Sequence, residues 1–193
     1  MAQFVLPDQG ESGDRCLIKS HENEALVVVI DGIGHGKEAA HAAKATSAIL
    51  SEHSHEPIIS LVRRCHERLR TMRGVVLSLA SIDASHGLMT WLGVGNVQGV
   101  LLRSDIRNGN QKETLLLRAG VVGAQLPPLQ ATVLPIAPGD TVYLATDGIR
   151  QNFVDNLSTL ENPQRAANRI LGQFQNGNDD ALILVARMLG PIL

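Results

Sequence analysis

Two short, mainly apolar runs in this chain each lead to an Asp-Gly pair. The first, Leu26–Ile30 (LVVVI), is followed by Asp31-Gly32, and the second, Thr141–Ala145, is followed by Thr146-Asp147-Gly148. Short β-branched runs that stop at turn residues are typical of buried strands. The sequence therefore predicts two core strands whose carboxylates emerge from the core at the ends of the strands.

Further strands are predicted in the middle of the chain. Three aliphatic segments follow one another closely, and the residues between them, Asp83–Gly87 and Gly95-Asn96, have the composition of hairpin turns. These segments are Val75–Ile82, Leu88–Val94 and Val97–Leu102. Other strands are expected around Leu115, around Val133 and over Ala181–Met188.

Three segments have helical patterns. Lys37–Ser51 is rich in alanine, and the segment that opens at Pro57 has apolar residues at helical spacing. Asn162-Pro163 has the N-cap and first-turn proline of a third helix. Because the helices are separated from hairpin-linked strands, an α+β fold is favoured over alternating βαβ units. A length of 193 residues suits a single domain over 1–193.

Composition argues against several classes of partner. The formal net charge is −2 without any basic run, and aromatic residues make up only 3% of the chain, which disfavours nucleic acid and acidic membranes as partners. The longest apolar run, Ala25–Ile30, is too short to span a bilayer. Cys16 and Cys65 form no CxxC pair, and no signal-peptide pattern is visible. A cytoplasmic location is therefore expected.

Acidic residues recur where predicted strands begin or end. They are Asp31, Asp147, the adjacent Asp179 and Asp180, and Asp14 in Gly13-Asp14, which precedes a strand expected to pair with Leu26–Ile30. Mg²⁺ and Mn²⁺ prefer such oxygen ligands, and a glycine after the acid lets a backbone carbonyl come close. Asp-Gly pairs are also common in ordinary hairpin turns. Both interpretations are open at this point.

The segment from Asp31 to Ala40 also invites two nucleotide-binding interpretations. A P-loop is excluded, because Lys37 is followed by Glu38 rather than by Ser or Thr. A dinucleotide fingerprint fits Gly34-x-Gly36-x-x-Ala39, but the acid expected about 20 residues later is missing. Dinucleotide binding is therefore a minor alternative.

Three segments together carry a family resemblance. VIDGIGHGKEAAHAA, LATDGI and GNDDALILV occur in the order and context that resemble the SpoIIE-type branch of the type-2C metal-dependent protein serine/threonine phosphatases. The resemblance extends from Ser12 to Val185 and is strongest to short stressosome phosphatases without an extra regulatory domain. It implies a four-layer α/β/β/α sandwich of two antiparallel sheets flanked by helices, with a two-ion Mn²⁺ or Mg²⁺ centre.

The resemblance also implies roles for the acids. Asp31 would bridge two ions, Asp147 and Asp179 would hold one of them, and Asp14 would support the other. The Gly32 carbonyl is a further expected ligand, and Asp180 is the alternative to its neighbour Asp179.

This chain departs from the family pattern at two positions. Gln9 stands roughly where related phosphatases carry a phosphate-binding arginine, and Ile33 stands where they carry a histidine. The phosphate-binding group and the general acid are therefore unassigned, with Arg15 and His35 as the nearest candidates.

The resemblance implies phosphorylated protein substrates, namely STAS-domain proteins of the stressosome, a bacterial stress-signalling complex. A second hypothesis is a phosphatase-like binding module without turnover. The candidate acids argue against that module, because a protein without turnover has no physical need for clustered carboxylates that repel one another without metal.

Overall fold

The computed structural model describes residues 1–7, 10–105 and 111–190. Its strands are β1 (Ala2–Phe4), β2 (Asp14–His21), β3 (Glu24–Gly32), β4 (Val75–Asp83), β5 (Leu88–Val94), β6 (Gln98–Leu102), β7 (Lys112–Thr114), β8 (Leu117–Arg118), β9 (Thr132–Pro135), β10 (Thr141–Ala145) and β11 (Ala181–Arg187). Its helices are α1 (Lys37–Glu52), α2 (Ile58–Leu69), α3 (Pro163–Phe174) and a 3-10 helix over Gln151–Asn156.

The strands form two sheets that pack face to face. One sheet has the order β1-β11-β10-β6-β7, and the other has the order β2-β3-β4-β5-β8, with β9 also paired to β5. Helices α1 and α2 cover the second sheet, α3 covers the first, and a third apolar layer fills the space between the sheets. The predicted four-layer α+β sandwich is confirmed.

Alternation along β3 directs its last side chain into the space between the sheets. Val28 and Ile30 pack on the helical side, whereas Val27 and Val29 pack toward the other sheet. Successive side chains of a strand point to opposite faces, so Asp31 continues the face of Val27 and Val29. Its carboxylate therefore reaches the rim of the inter-sheet core.

The predicted hairpin at Gly95-Asn96 is wrong. β5 and β6 lie in different sheets, and this segment carries the chain from one sheet to the other. Gly95 has φ +94°, and a β-carbon there would overlap the side chain of Val76. Glycine is needed for both reasons, and its turn chemistry serves a crossover rather than a hairpin.

The region around Leu115 also differs from the expectation. Two short strands, β7 and β8, flank this residue and belong to different sheets. β8 pairs with β5 in parallel, so the second sheet is not wholly antiparallel. The strand β1 and the 3-10 helix were not predicted.

The other predicted elements are confirmed, and most of their bounds agree within two residues. The Asn162 side chain caps α3 by accepting hydrogen bonds from the backbone N–H groups of Gln164 (2.9 Å) and Arg165 (3.3 Å). β3 and β4 are antiparallel, which excludes the parallel βαβ unit that a dinucleotide fingerprint requires. Among the described residues, no helix has the length and apolar character needed to cross a membrane.

Candidate metal centre

A cleft of about 280 Å³ opens where β3 and β10 end and where β4 and β11 begin. Three carboxylates line it, together with one imidazole and two amides. The lining residues are Asp31, Ile33, Gly34, His35, Val76, Asn96, Asp147, Asn178 and Asp179. The fold therefore brings three of the predicted acids to one place.

Asp14 and Asp31 form a directly opposed pair on β2 and β3. Asp14 is only 4% exposed, and its Oδ2 accepts a hydrogen bond of 2.7 Å from the Thr146 hydroxyl. Burial, followed by the negative charges of Asp14 and Asp147, raises the pKa of Asp31 to about 8. Burial also raises the pKa of Asp14 to about 7, against the opposing effect of the Thr146 hydrogen bond. Without a cation, this pair therefore favours protonation.

Asp147 is an exposed acid that neighbouring amides hold in place. The Asn96 side-chain amide donates to Asp147 Oδ2 at 2.7 Å, and the Asn176 amide donates to the Asp147 backbone carbonyl at 3.3 Å. Asn96 reaches the cleft because the crossover between the sheets places it there. Sequence analysis missed this residue, since it treated the same segment as a hairpin.

The adjacent acids Asp179 and Asp180 have different environments. Asp180 is buried, and its two oxygens accept backbone N–H bonds from Leu6 and Gly13, each at 3.0 Å. Asp179 is exposed, lines the cleft, and uses one oxygen to accept the N–H of Asp180 at 2.8 Å. Partial burial is the main cause that raises the pKa of Asp179. Asp180 thus ties the N-terminal segment to β11, while Asp179 faces the cleft.

The glycines after Asp31 and Asp147 leave room for another stretch of backbone. A β-carbon on Gly32 would overlap the carbonyl oxygen of Ala39 in α1, and one on Gly148 would overlap the carbonyl oxygen of Asp180. Neither Asp-Gly pair forms a hairpin turn, because β3 leads to α1 and β10 leads to the 3-10 helix. The pairs mark close packing at the ends of strands that carry cleft acids.

The candidates for phosphate binding and proton donation lie in different places. His35 is exposed and lines the cleft, next to Ile33. Arg15 follows Asp14 in β2, so its side chain leaves the opposite face of the strand, and it lines a separate pocket near Glu11. Gln9 lies outside the described residues.

The donor set of the cleft fits a hard divalent cation. Its carboxylate and amide oxygens are ligands that Mg²⁺ and Mn²⁺ accept. Burial first, and then the neighbouring acids, raise the pKa of Asp31 and Asp179, so a bound cation would favour the charged carboxylates. Within the described ranges, no three His, Cys, Asp or Glu side chains are already gathered as a metal cluster. Bound Mg²⁺ usually keeps several water ligands and needs only one or two carboxylates. Carboxylates that line the same cleft without converging on one point can therefore still bind it.

The raised pKa values predict how the stability of the metal-free protein depends on pH. Between about pH 4 and pH 7–8, folded Asp14 and Asp31 hold protons that the unfolded chain releases. The free energy of unfolding should therefore fall as pH rises through this window, by up to about 1.4 kcal/mol per pH unit for each carboxyl. Denaturant unfolding in chelator at several pH values measures this slope. Asp31→Asn should flatten it, and an equal slope in the variant would contradict the assignment.

Comparison with known proteins gives the chain a family. The model of the Stage II sporulation protein E (SpoIIE) family matches residues 21–189. Phosphoserine phosphatase RsbX of Bacillus subtilis (strain 168) is 28% identical over 100 residues, which span 51% of this chain and 50% of RsbX. The aligned segment thus covers about half of that relative's length.

Solved structures share the fold over nearly the whole chain. A chain from work on the bacterial stressosome, a modular system adapted to control secondary messenger signalling, has a TM-score of 0.85 and 27% identity, with 96% of each chain covered. RsbX in complex with magnesium has a TM-score of 0.85 and 20% identity, with 95% of this chain and 91% of RsbX covered. The family match covers most of the sequence, and the chain belongs to the SpoIIE family.

Proposed function

We propose that this protein is a metal-dependent phosphatase that hydrolyses phosphoserine and phosphothreonine in proteins. The observation that carries the proposal is the shared cleft of Asp31, Asp147 and Asp179, with Asp14 directly opposite Asp31. Membership of the SpoIIE family supports it, as does the similarity to a phosphoserine phosphatase over half of that relative's length.

The cleft acids would hold two Mn²⁺ or Mg²⁺ ions. In this proposal Asp31 would serve both ions, Asp147 and Asp179 would hold one of them, and Asp14 would support the other. The Gly32 carbonyl would be a further ligand. When bound, such ions acidify water and neutralise the charge of the phosphoryl oxygens. We assign the role of ligand to Asp179 rather than Asp180, because both oxygens of Asp180 already accept backbone N–H bonds.

The chain's own polar groups orient these acids. Asn96 fixes the Asp147 carboxylate through its amide, and Thr146 fixes Asp14 through its hydroxyl. Ile33 and Val76 line the cleft and contribute its apolar wall. A wall of this kind limits how much water surrounds the charged groups and strengthens their electrostatic interactions.

The substrates we propose are phosphorylated STAS-domain proteins of a stressosome-type complex, which would place the protein in the cytoplasm. The similarity to a chain from work on the bacterial stressosome and to RsbX supports this choice. The experiment is release of inorganic phosphate from a phosphorylated STAS-domain protein in Mn²⁺ or Mg²⁺, with Asp147→Asn as the inactive control. Release at the same rate by Asp147→Asn would contradict the proposal, and no release by the wild type would favour a binding module instead.

His35 is the proposed proton donor to the leaving serine oxygen. It lines the cleft between two glycines, and histidine is the side chain that most often transfers protons in general acid catalysis. A serine alkoxide needs a proton to leave, whereas nitrophenolate does not. His35→Ala should therefore slow phosphoprotein hydrolysis roughly 10²–10⁴-fold and slow nitrophenyl phosphate hydrolysis much less. Equal losses on both substrates would show that His35 only shapes the loop.

A further inference from the structure

Among the described residues, the lining of the cleft offers no strong cation for a phosphoryl group. It includes three carboxylates and one imidazole, but no arginine or lysine from the described part of the chain. Arg15 points away on the other face of β2. A phosphorylated side chain that enters the cleft therefore passes acids on its way, and an additional fixed positive charge at the rim would help to select and orient it.

Arg73 lies beside the cleft residue Gly34, on a segment of backbone that is held firmly. The carbonyl of the next residue, Gly74, accepts the N–H of Ile33 at 3.0 Å. A β-carbon on Gly74 would overlap the Val121 side chain and lie 2.6 Å from the Val122 carbonyl oxygen, so this backbone cannot shift easily. The chain thus anchors Arg73 beside the loop that carries His35.

The Arg73 side chain crosses directly over the cleft loop. Its Nη1 lies 2.5 Å from the point that a β-carbon on residue 34 would occupy, and Gly34 itself lines the cleft. The missing side chain at Gly34 leaves the space in which the guanidinium lies. The positive charge of Arg73 therefore lies beside the entrance of the cleft and not among its carboxylates.

The present partner of Arg73 is weakly held. Its Nε lies 2.6 Å from Glu38 Oε2, and the two side chains are 47% and 72% exposed. Ion pairs at such exposure contribute little to stability, because water and salt screen them. The guanidinium can therefore exchange the Glu38 carboxylate for a phosphoryl group, which its planar fork binds through two charge-assisted hydrogen bonds.

We propose that Arg73 is the phosphoryl-binding residue of this protein, and that Glu38 holds its guanidinium until a phosphorylated side chain enters the cleft. This inference rests on the proposed phosphatase function and assigns the phosphate-binding group that the sequence leaves open. Arginine is better suited than lysine to the role, since its fork matches two phosphoryl oxygens at once.

Binding of inorganic phosphate to the Mg²⁺-loaded protein tests the proposal without turnover, and inhibition of phosphoserine peptide hydrolysis by phosphate tests it during turnover. Arg73→Ala should raise both the dissociation constant and the inhibition constant for phosphate about 10-fold or more, the range for a hydrogen bond to a charged group. Arg73→Lys should give an intermediate value. Glu38→Gln should lower both constants, because it removes the competing carboxylate.

Arg70→Ala is the matched control. Arg70 lies three residues earlier and forms an exposed ion pair of the same kind with Glu67, so its loss should leave both constants unchanged. If Arg73→Ala binds phosphate as the wild type does, the inference is overturned while the phosphatase function stands. If the wild type has no phosphatase activity, the proposed function fails. Phosphate binding then tests this inference separately, and equal binding by the wild type and Arg73→Ala overturns it.

Discussion

Asp31→Asn should lower turnover of a phosphoserine substrate roughly 10³-fold or more, a loss typical of removing a central catalytic group. An amide has one neutral oxygen and cannot replace a carboxylate that, in the proposed centre, would serve two cations. The same change should raise the free energy of unfolding of the metal-free protein at pH 8, because burial and neighbouring acids penalise the Asp31 charge. Steady-state kinetics at saturating Mg²⁺ or Mn²⁺ and unfolding in chelator measure the two effects.

Asp83→Asn is the matched control for this prediction. Val76, at the start of β4, lines the cleft, whereas Asp83 lies at the far end of the same strand. The Asp83 carboxylate is exposed and bonds to His86 in the β4–β5 turn. Removing its charge should leave turnover unchanged. A wild-type rate for Asp31→Asn at saturating metal would refute the assigned role of Asp31.

Asp179→Asn should mainly lower turnover, whereas Asp180→Asn should mainly lower the stability of the fold. Asp179→Asn should lose most of its turnover with little change in stability, because Asp179 is exposed and faces the cleft. Asp180→Asn should destabilise the fold by roughly 1–3 kcal/mol, since an amide nitrogen would face one of the buried N–H groups that the carboxylate now accepts. Thermal unfolding and metal-dependent kinetics of both variants separate the two roles.

The reversed result would reassign the ligand. If Asp180→Asn loses turnover at unchanged stability while Asp179→Asn stays active, Asp180 is the metal ligand. The N-terminal contacts of Asp180 with Leu6 and Gly13 would then be secondary to its catalytic role.

Local sequence pattern was sufficient to predict the strands that carry the acids. Leu26–Ile30 and Thr141–Ala145 are short, mainly apolar runs bounded by turn residues, and their length favours buried strands over helices. Asp31 follows the first run directly, and Asp147 follows the second after Thr146. The same reasoning located α3, whose Asn162-Pro163 start uses only local chemistry. The sandwich of two sheets came from the family resemblance, because strand order depends on contacts between distant parts of the chain.

The details of the cleft depend on those distant contacts, which local pattern does not contain. Gly95-Asn96 has the composition of a hairpin turn, and composition does not distinguish a hairpin from a crossover between sheets. The difference between Asp179 and Asp180 follows from the N-terminal segment, which lies more than 160 positions earlier in the chain. Arg73 lies beside the cleft residue Gly34, and the adjacent Gly74 carbonyl accepts the N–H of Ile33, about 40 positions earlier in the chain.

The central claim is that the cleft acids act through bound divalent cations in phosphoserine hydrolysis. The direct measurement is phosphate release from a phosphoserine protein by the wild type, first in excess EDTA and then after Mn²⁺ or Mg²⁺ is restored. We predict no release in EDTA and full recovery with either ion, because the donor set is oxygen-based and has no zinc-type Cys/His cluster among the described residues. Full activity in excess EDTA would contradict the account.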